Sequence, residues 1–234
     1  MTASPRRREA PGERYVVIGA TGQLGSDLVR TFDRSGELTP LGPRDIDILD
    51  AAATRSILNA LQPTCVINTA ADNLVDRAEE DGRSAFALNA DAVGSLAAIC
   101  QSIGARLVHF STDYVFDGSQ RTPYLETDPP RPLSVYAESK LAGERLAPER
   151  CERTVIFRVC GLFGLAGSLG KGKGNFVETM LRLAGQGQPL RVVNDQICTP
   201  SYTVDVAAAA VALMATGRYG LYHVTNAADR KSVV

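Results

Sequence analysis

"RYVVIGATGQLG", residues 14–25, runs from a β-branched stretch straight into glycines. Tyr15, Val16, Val17 and Ile18 read as a short strand, and Gly19, Gly22 and Gly25 follow at G-x-x-G-x-x-G spacing. Residues 26–36 then have helical spacing and a glycine stop. In a strand–turn–helix of this kind the helix N-terminus offers free N–H groups and a positive dipole end to a pyrophosphate. The glycines let the backbone turn tightly and approach the phosphates. Glycines alone mark any tight turn, but after a first strand and before a helix they point to a dinucleotide.

The pattern repeats outward from there. "ELTPLG" is a weak second strand; a helix is predicted over 50–62, a strand over 64–70, a long helix over 81–104 and a clear strand over 105–112. A helix carrying Tyr136 and Lys140 follows, then a strand within 153–164. Strands alternating with helices predict an α/β fold, a doubly wound parallel sheet of Rossmann type. Beyond 164 the texture changes: a glycine-rich loop over 165–174, a helix over 175–187, an extended stretch over 189–202, a helix over 203–217 and one more strand over 220–226. The expected organisation is a disordered tail at 1–13 and an NAD(P)-binding Rossmann domain at 14–164. Residues 165–234 are expected to form a small C-terminal substrate-binding lobe plus a late Rossmann strand.

Composition narrows the chemistry. A net charge of −1 gives no general attraction to nucleic acid or anionic lipid. The apolar run 206–215 is too short to span a bilayer, so neither nucleic acid nor membrane is an expected partner. Five scattered cysteines without a C-x-x-C pair fit reduced thiols in a cytoplasm, and no metal site is expected. The two histidines, His109 and His223, sit in apolar strand-like runs and read as core or edge residues.

Tyr136 and Lys140 share one helix face, four residues apart. Reducing a ketone takes a hydride on carbon and a proton on oxygen, and a phenol can give the proton. Its ordinary pKa is near 10, so half-ionisation near pH 7 needs roughly 4 kcal/mol of help. A lysine ammonium one turn away is expected to supply part of that. Packing of a tyrosine under a snorkelling lysine is the bland alternative. Ser111 and Thr112 end the strand over 105–112, on the side of the sheet where ligands bind.

The segments "GATGQLG", "AADNLVDRAEED", "ALNADAVGSLA", "STDYVFDG", "PYLETDPPRPLSVYAESKLAGE" and "NDQICTPSYTVDVA" occur in order across residues 14–226. Together they resemble the extended short-chain dehydrogenase/reductases and, within them, the dTDP-4-dehydrorhamnose reductase family. The resemblance implies a catalytic trio of Thr112, Tyr136 and Lys140. It implies that NADPH or NADH is held by Gly19, Thr21, Gly22, Gln23, Leu24 and Gly25, by Asp47 and Ile48, and by Ala70 and Ala71. Tyr136 and Lys140 would also touch the cofactor. Arg44, near the end of the second strand where NAD-preferring sites place an acid, leans towards the 2′-phosphate of NADP. The substrate implied is a nucleotide sugar contacted by Thr112, Asp113 and Tyr136, its 4-keto group reduced to give dTDP-L-rhamnose, in a cytoplasmic enzyme that pairs as a homodimer.

Three features depart from the family pattern. Asp72 and Asn73 follow Ala70-Ala71 where an aromatic or histidine and a threonine are usual, Gly161 stands where an aromatic substrate contact is common, and the family continues past "NAADRKSVV" through further helices. The last implies either a truncated form or an unusually small substrate lobe. Lys171 or Lys173 is a candidate phosphate contact, and Asp195 and Gln196 line the sugar site or fix a turn. The rival readings are a dinucleotide-binding regulatory subunit like the methionine adenosyltransferase β subunit, and a nucleotide-sugar epimerase or dehydratase. An intact Thr112, Tyr136 and Lys140 weighs against the first.

Overall fold

The computed structural model describes residues 12–32, 37–166, 175–187, 189–192, 197–226 and 230–231. The expected tail (apart from 12 and 13), Lys171, Lys173, Asp195 and Gln196 lie outside the described residues.

In chain order the main elements are β1 (Arg14–Ile18), α1 (Gln23–Phe32), β2 (Glu37–Leu41), α2 (Ala51–Leu61), β3 (Cys65–Asn68), α3 (Val75–Glu80) and α4 (Gly82–Phe86). A wide π turn (Ala87–Asp91) joins α4 to α5 (Ala92–Ile103), followed by β4 (Arg106–Thr112), α6 (Val135–Arg150) and β5 (Thr154–Val159). The rest comprises β6 (Leu162–Phe163), α7 (Phe176–Gly185), β7 (Ile197–Cys198), β8 (Ser201–Tyr202), α8 (Thr203–Met214), β9 (Gly220–His223) and β10 (Arg230–Lys231). Six strands form one parallel sheet in the order β2-β1-β3-β4-β5-β9. The chain winds one way from β1 to β2 and the other way to β3. The crevice outside the carboxyl ends of β1 and β3 is therefore the switch point where such sheets take ligands.

Alternation along each strand builds two apolar layers. Val17, Ile67, Val108, Phe110 and Phe157 face Leu28 and Phe32 of α1 and Val206, Ala210 and Met214 of α8. Val16, Ile18, Val66 and Leu107 face Leu58 of α2 and Val93, Leu96 and Ile99 of α5. Thus α8 and β9, late in the chain, belong to the body of the main sheet. The run Gly82–Ile103 is long and apolar enough to cross a bilayer by length and composition, which the sequence reading did not register. Half of that stretch is buried inside the fold, against the sheet.

Where a single long helix was predicted, residues 82–103 contain the π turn, and its cause is tertiary. Asn89 turns its side chain inward. Its Nδ2 donates to the Asp72 carbonyl (2.8 Å) and to Ser139 Oγ (3.0 Å), and its Oδ1 accepts from the Asp72 amide (2.9 Å). Gly143 of α6 packs so closely that an added Cβ would overlap the Asn89 carbonyl oxygen. Gly143→Ala is therefore expected to destabilise the fold by roughly 1–3 kcal/mol, as overpacked cores do. Urea unfolding measures it, and a loss under about 0.5 kcal/mol contradicts the close packing.

Candidate active site

Gly19 begins the turn with φ +80°, a left-handed backbone that glycine adopts without strain. Its amide and that of Ala20 donate to the Leu41 carbonyl (2.9 and 3.1 Å), and Thr69 Oγ1 donates to the carbonyls of Ile18 (2.8 Å) and Gly19 (3.2 Å). An added Cβ at Gly25 would overlap the Gly19 carbonyl oxygen, so the first turn of α1 sits directly on the loop. The first amides of α1, around Gln23, Leu24 and Gly25, face the switch point with no helical partner of their own. The Leu24 side chain is in the core, so only its backbone is available to a ligand, and Gln23 Oε1 accepts from Asn175 Nδ2 (3.1 Å). Thr21 and Arg44 are exposed. Ile48 is buried, and Asp47 accepts from the Leu49 amide (3.0 Å).

Thr112 ends β4 and Tyr136 lies in the first turn of α6, which Ser134 caps by accepting from the Ala137 amide (3.2 Å). Thr112 Oγ1 donates to Asp113 Oδ1 (3.2 Å) and accepts from the Tyr114 amide (3.2 Å), close enough to the Tyr136 phenol to act on its ionisation. Tyr136 is 9 % exposed, walled by Ala78, Ala85, Val75 and Val135, with Tyr114 edge-on at 5.9 Å. Burial pushes its phenol up to about 12; Thr112 pulls it down, while Asp113, Tyr114 and Asp72 add to the rise. Burial thus opposes the pull towards ionisation that Lys140 is expected to exert on the phenol. Burial likewise pushes the Asp113 carboxyl up, against bonds from Cys160 and Thr112.

Lys140 is 3 % exposed and donates from Nζ to the Phe110 carbonyl (2.7 Å), with His109 Nε2 at 3.5 Å. Burial pushes its ammonium down to about 8, and Glu144 one turn on partly restores it. His109, fully enclosed and adjacent to the lysine, is held well below its ordinary value by burial and then by Lys140. Its Nδ1 lies 3.3 Å from Asn68 Nδ2. Glu144 is itself clamped by Arg158 in a buried ion pair. Arg158 also stacks over Phe116 at 4.9 Å and reaches His223 Nε2 at 3.4 Å.

The fold therefore gathers the glycine turn, the end of β3 with Ala70, and Thr112, Asp113, Tyr136 and Lys140 along one edge of the sheet. Asn68 and Asn89 were not singled out, because in strand or helix they read as polar interruptions of a core; His109 was read as a core or edge residue and Ser111 as a polar strand end. The departure at Asp72 is absorbed locally: its Oδ2 pairs with Arg77 (2.5 Å) and its Oδ1 accepts from the Leu74 amide (3.2 Å). Two observations fit a polar dinucleotide here. The glycine cradle has no room for side chains, and Ser111 Oγ at the end of β4 is buried with no protein partner. Among the described residues no group of His, Cys, Asp and Glu is arranged to hold a metal ion.

A glycine-cradled switch point beside a tyrosine and a lysine one turn apart defines a dinucleotide-binding α/β protein of the reductase kind. A family described as the RmlD substrate binding domain matches residues 13–232, and the chain belongs to it, among the dTDP-4-dehydrorhamnose reductases. It is 37% identical over 223 residues to the dTDP-4-dehydrorhamnose reductase of Burkholderia thailandensis, covering 92% of this chain and 73% of that one. It is 40% identical over 223 residues to that of Streptomyces griseus, covering 92% and 71%. A Bacillus anthracis dTDP-4-dehydrorhamnose reductase, solved in complex with NADP, superposes with a TM-score of 0.87 at 34% identity, covering 94% of this chain and 76% of that one.

Proposed function

We propose that this chain reduces the 4-keto group of dTDP-4-dehydro-L-rhamnose to dTDP-L-rhamnose with NADPH or NADH. The observation that supports the reading is that Thr112, at the end of β4, and Tyr136 and Lys140, one turn apart on α6, are all buried at the carboxyl edge of the sheet. A bound reduced nicotinamide would supply hydride to the keto carbon. The chain's own residues do the remainder. Thr112 holds the keto oxygen against Tyr136, and the Tyr136 phenol gives its proton to that oxygen. The charge left on the phenolate is met by the Lys140 ammonium, one turn along the same helix and anchored to β4 by its bond to the Phe110 carbonyl. Desolvation by the wall of Ala78, Ala85 and Val135 strengthens each of these interactions.

The amides opening α1, with Gly19, Gly22 and Gly25, would take the pyrophosphate, and Ala70 and Ala71 the ribose side. Arg44, exposed just after β2, would meet a 2′-phosphate, the reading that favours NADPH over NADH. Asp113 beside Thr112 would meet a sugar hydroxyl. Residues 165–202, outside the main sheet among the described residues, are assigned to the sugar side, and Gly161 leaves that side without the aromatic contact usual in the family. A cytoplasmic setting agrees with five free thiols.

The test is direct. Mixing the chain with dTDP-4-dehydro-L-rhamnose and NADPH, then NADH, should consume the reduced nicotinamide, faster with NADPH. Saturable cofactor binding without consumption of either would contradict the reading and favour a regulatory dinucleotide-binding role.

A further inference from the structure

His109 bridges two parts of the site that the reaction uses separately. On one side stands Lys140 Nζ, 3.5 Å from Nε2; on the other stands Asn68 Nδ2, 3.3 Å from Nδ1. Strand register fixes this pairing, because Asn68 lies directly beside His109 across the β3–β4 ladder. Both side chains are almost wholly buried, so each polar atom must find its partner within the protein.

The direction of the chain of bonds is set by a group that cannot flip. The backbone amide of Ala70 donates to Asn68 Oδ1 at 3.1 Å. The amide oxygen of Asn68 is thereby turned to Ala70 and its NH₂ to His109. Reversing the side chain would set two donors face to face at Ala70. With Asn68 donating, His109 Nδ1 is an acceptor and the neutral ring carries its proton on Nε2. That N–H points at Lys140.

We infer that Asn68 and His109 are positioning residues that set the protonation of Lys140. A donor chain running from the Ala70 amide through Asn68 and His109 ends on the Lys140 nitrogen and lowers the pH at which its ammonium gives up a proton, without removing the ammonium at neutral pH. Burial acts on the lysine in the same direction. The charged and titratable groups around the pair divide by side. Glu144, paired with Arg158, holds the ammonium up. Asp72 and Asp113 act on Tyr136, which shares the lysine's helix face. His109 is the titratable group facing Lys140 from β4. The same chain ends at Ala70, where the ribose of the cofactor is assigned, so ligand contact at that loop and lysine protonation are mechanically joined.

This inference rests on the reductase reading for its consequence on rate but not for its first test. With only two histidines in the chain, ¹⁵N-histidine labelling of the full protein resolves both, and His223→Gln assigns them. Long-range ¹H–¹⁵N spectra should show His109 protonated on Nε2 and bare on Nδ1, unchanged from pH 5 to 9. A proton on Nδ1 with bare Nε2, or an imidazolium forming in that interval, overturns the inference, whether or not the chain turns over any sugar.

Asn68→Asp then reverses the chain. A carboxylate accepts from both Ala70 and His109, so the ring proton should move to Nδ1 and Nε2 should become an acceptor for the ammonium. The alkaline limb of kcat/KM for nicotinamide oxidation, measured on the cofactor-loaded protein, should shift upward by at least about one pH unit, a tenfold change in the lysine's ionisation. A merely structural Asn68 would lower the rate at every pH and leave the limb in place. That result, a downward shift, or an upward shift with the ring proton still on Nε2 (the carboxylate's charge acting directly on the ammonium) overturns the inference.

Discussion

Tyr136→Phe should lower kcat by about 10²- to 10⁴-fold, the usual worth of a positioned general acid, while dinucleotide affinity stays within about twofold of the starting protein. The ring is what packs: it touches Ala78, Ala85, Val75 and Val135 and meets Tyr114 edge-on at 5.9 Å. Phenylalanine keeps all of that and removes one oxygen, the atom proposed to give the proton. Unfolding stability should accordingly change little while turnover collapses. Steady-state kinetics alongside titration of reduced-nicotinamide fluorescence separates the two quantities. If the variant keeps most of its rate, the proton comes from elsewhere and the assignment of Tyr136 fails.

The second large effect is on stability. Arg158→Met should cost roughly 3–5 kcal/mol, because it leaves Glu144 buried and uncompensated. Both members of the pair are nearly inaccessible, at 5% and 6% side-chain exposure, so water cannot take the place of the missing partner. Arg158→Met with Glu144→Leu should recover much of the loss, since removing both charges removes the stranded one. Urea denaturation of the two variants decides it; a single variant that loses less than about 1 kcal/mol would mean that solvent reaches Glu144 after all. The double variant should still reduce less efficiently. Arg158 also pins Phe116 and, through His223, the segment whose Tyr124 carbonyl and Glu126 carboxylate bond to His223. That segment connects Thr112 to the helix of Tyr136.

The stretch 14–25 was enough to predict the sheet and its ligand edge, since a β-branched run ending in spaced glycines has few other structural uses. Pro40 made β2 look weak, yet β2 is an edge strand, where a missing N–H does little harm. Thr112, Tyr136 and Lys140 could be picked out as candidates because one ends a strand and the other two stand one helical turn apart, both local features. What could not be read depends on partners far away in sequence. His109 looked like a core residue because nothing local shows that Asn68 and Lys140 converge on it from 41 and 31 residues away. The upward displacement of Tyr136 was missed for a related reason. One lysine four residues away is visible in sequence, whereas the enclosure that outweighs it is assembled from α3, α4 and the residues after β4.

The π turn at Ala87–Asp91 makes chain length there a separate variable from fold. A wide turn amounts to one residue more than the α-helix on either side requires, so the flanking turns keep their phase as though it were absent. Shortening the segment by one residue would let Gly82–Ile103 close into an ordinary helix with its apolar face still on the sheet. Asn89, however, would swing away from Asp72 and Ser139, and the loop that follows β3 would lose its tether to the helix of Tyr136 and Lys140. In such a family, a single-residue gap at this point would separate proteins that share a scaffold from those that can also hold the site in register.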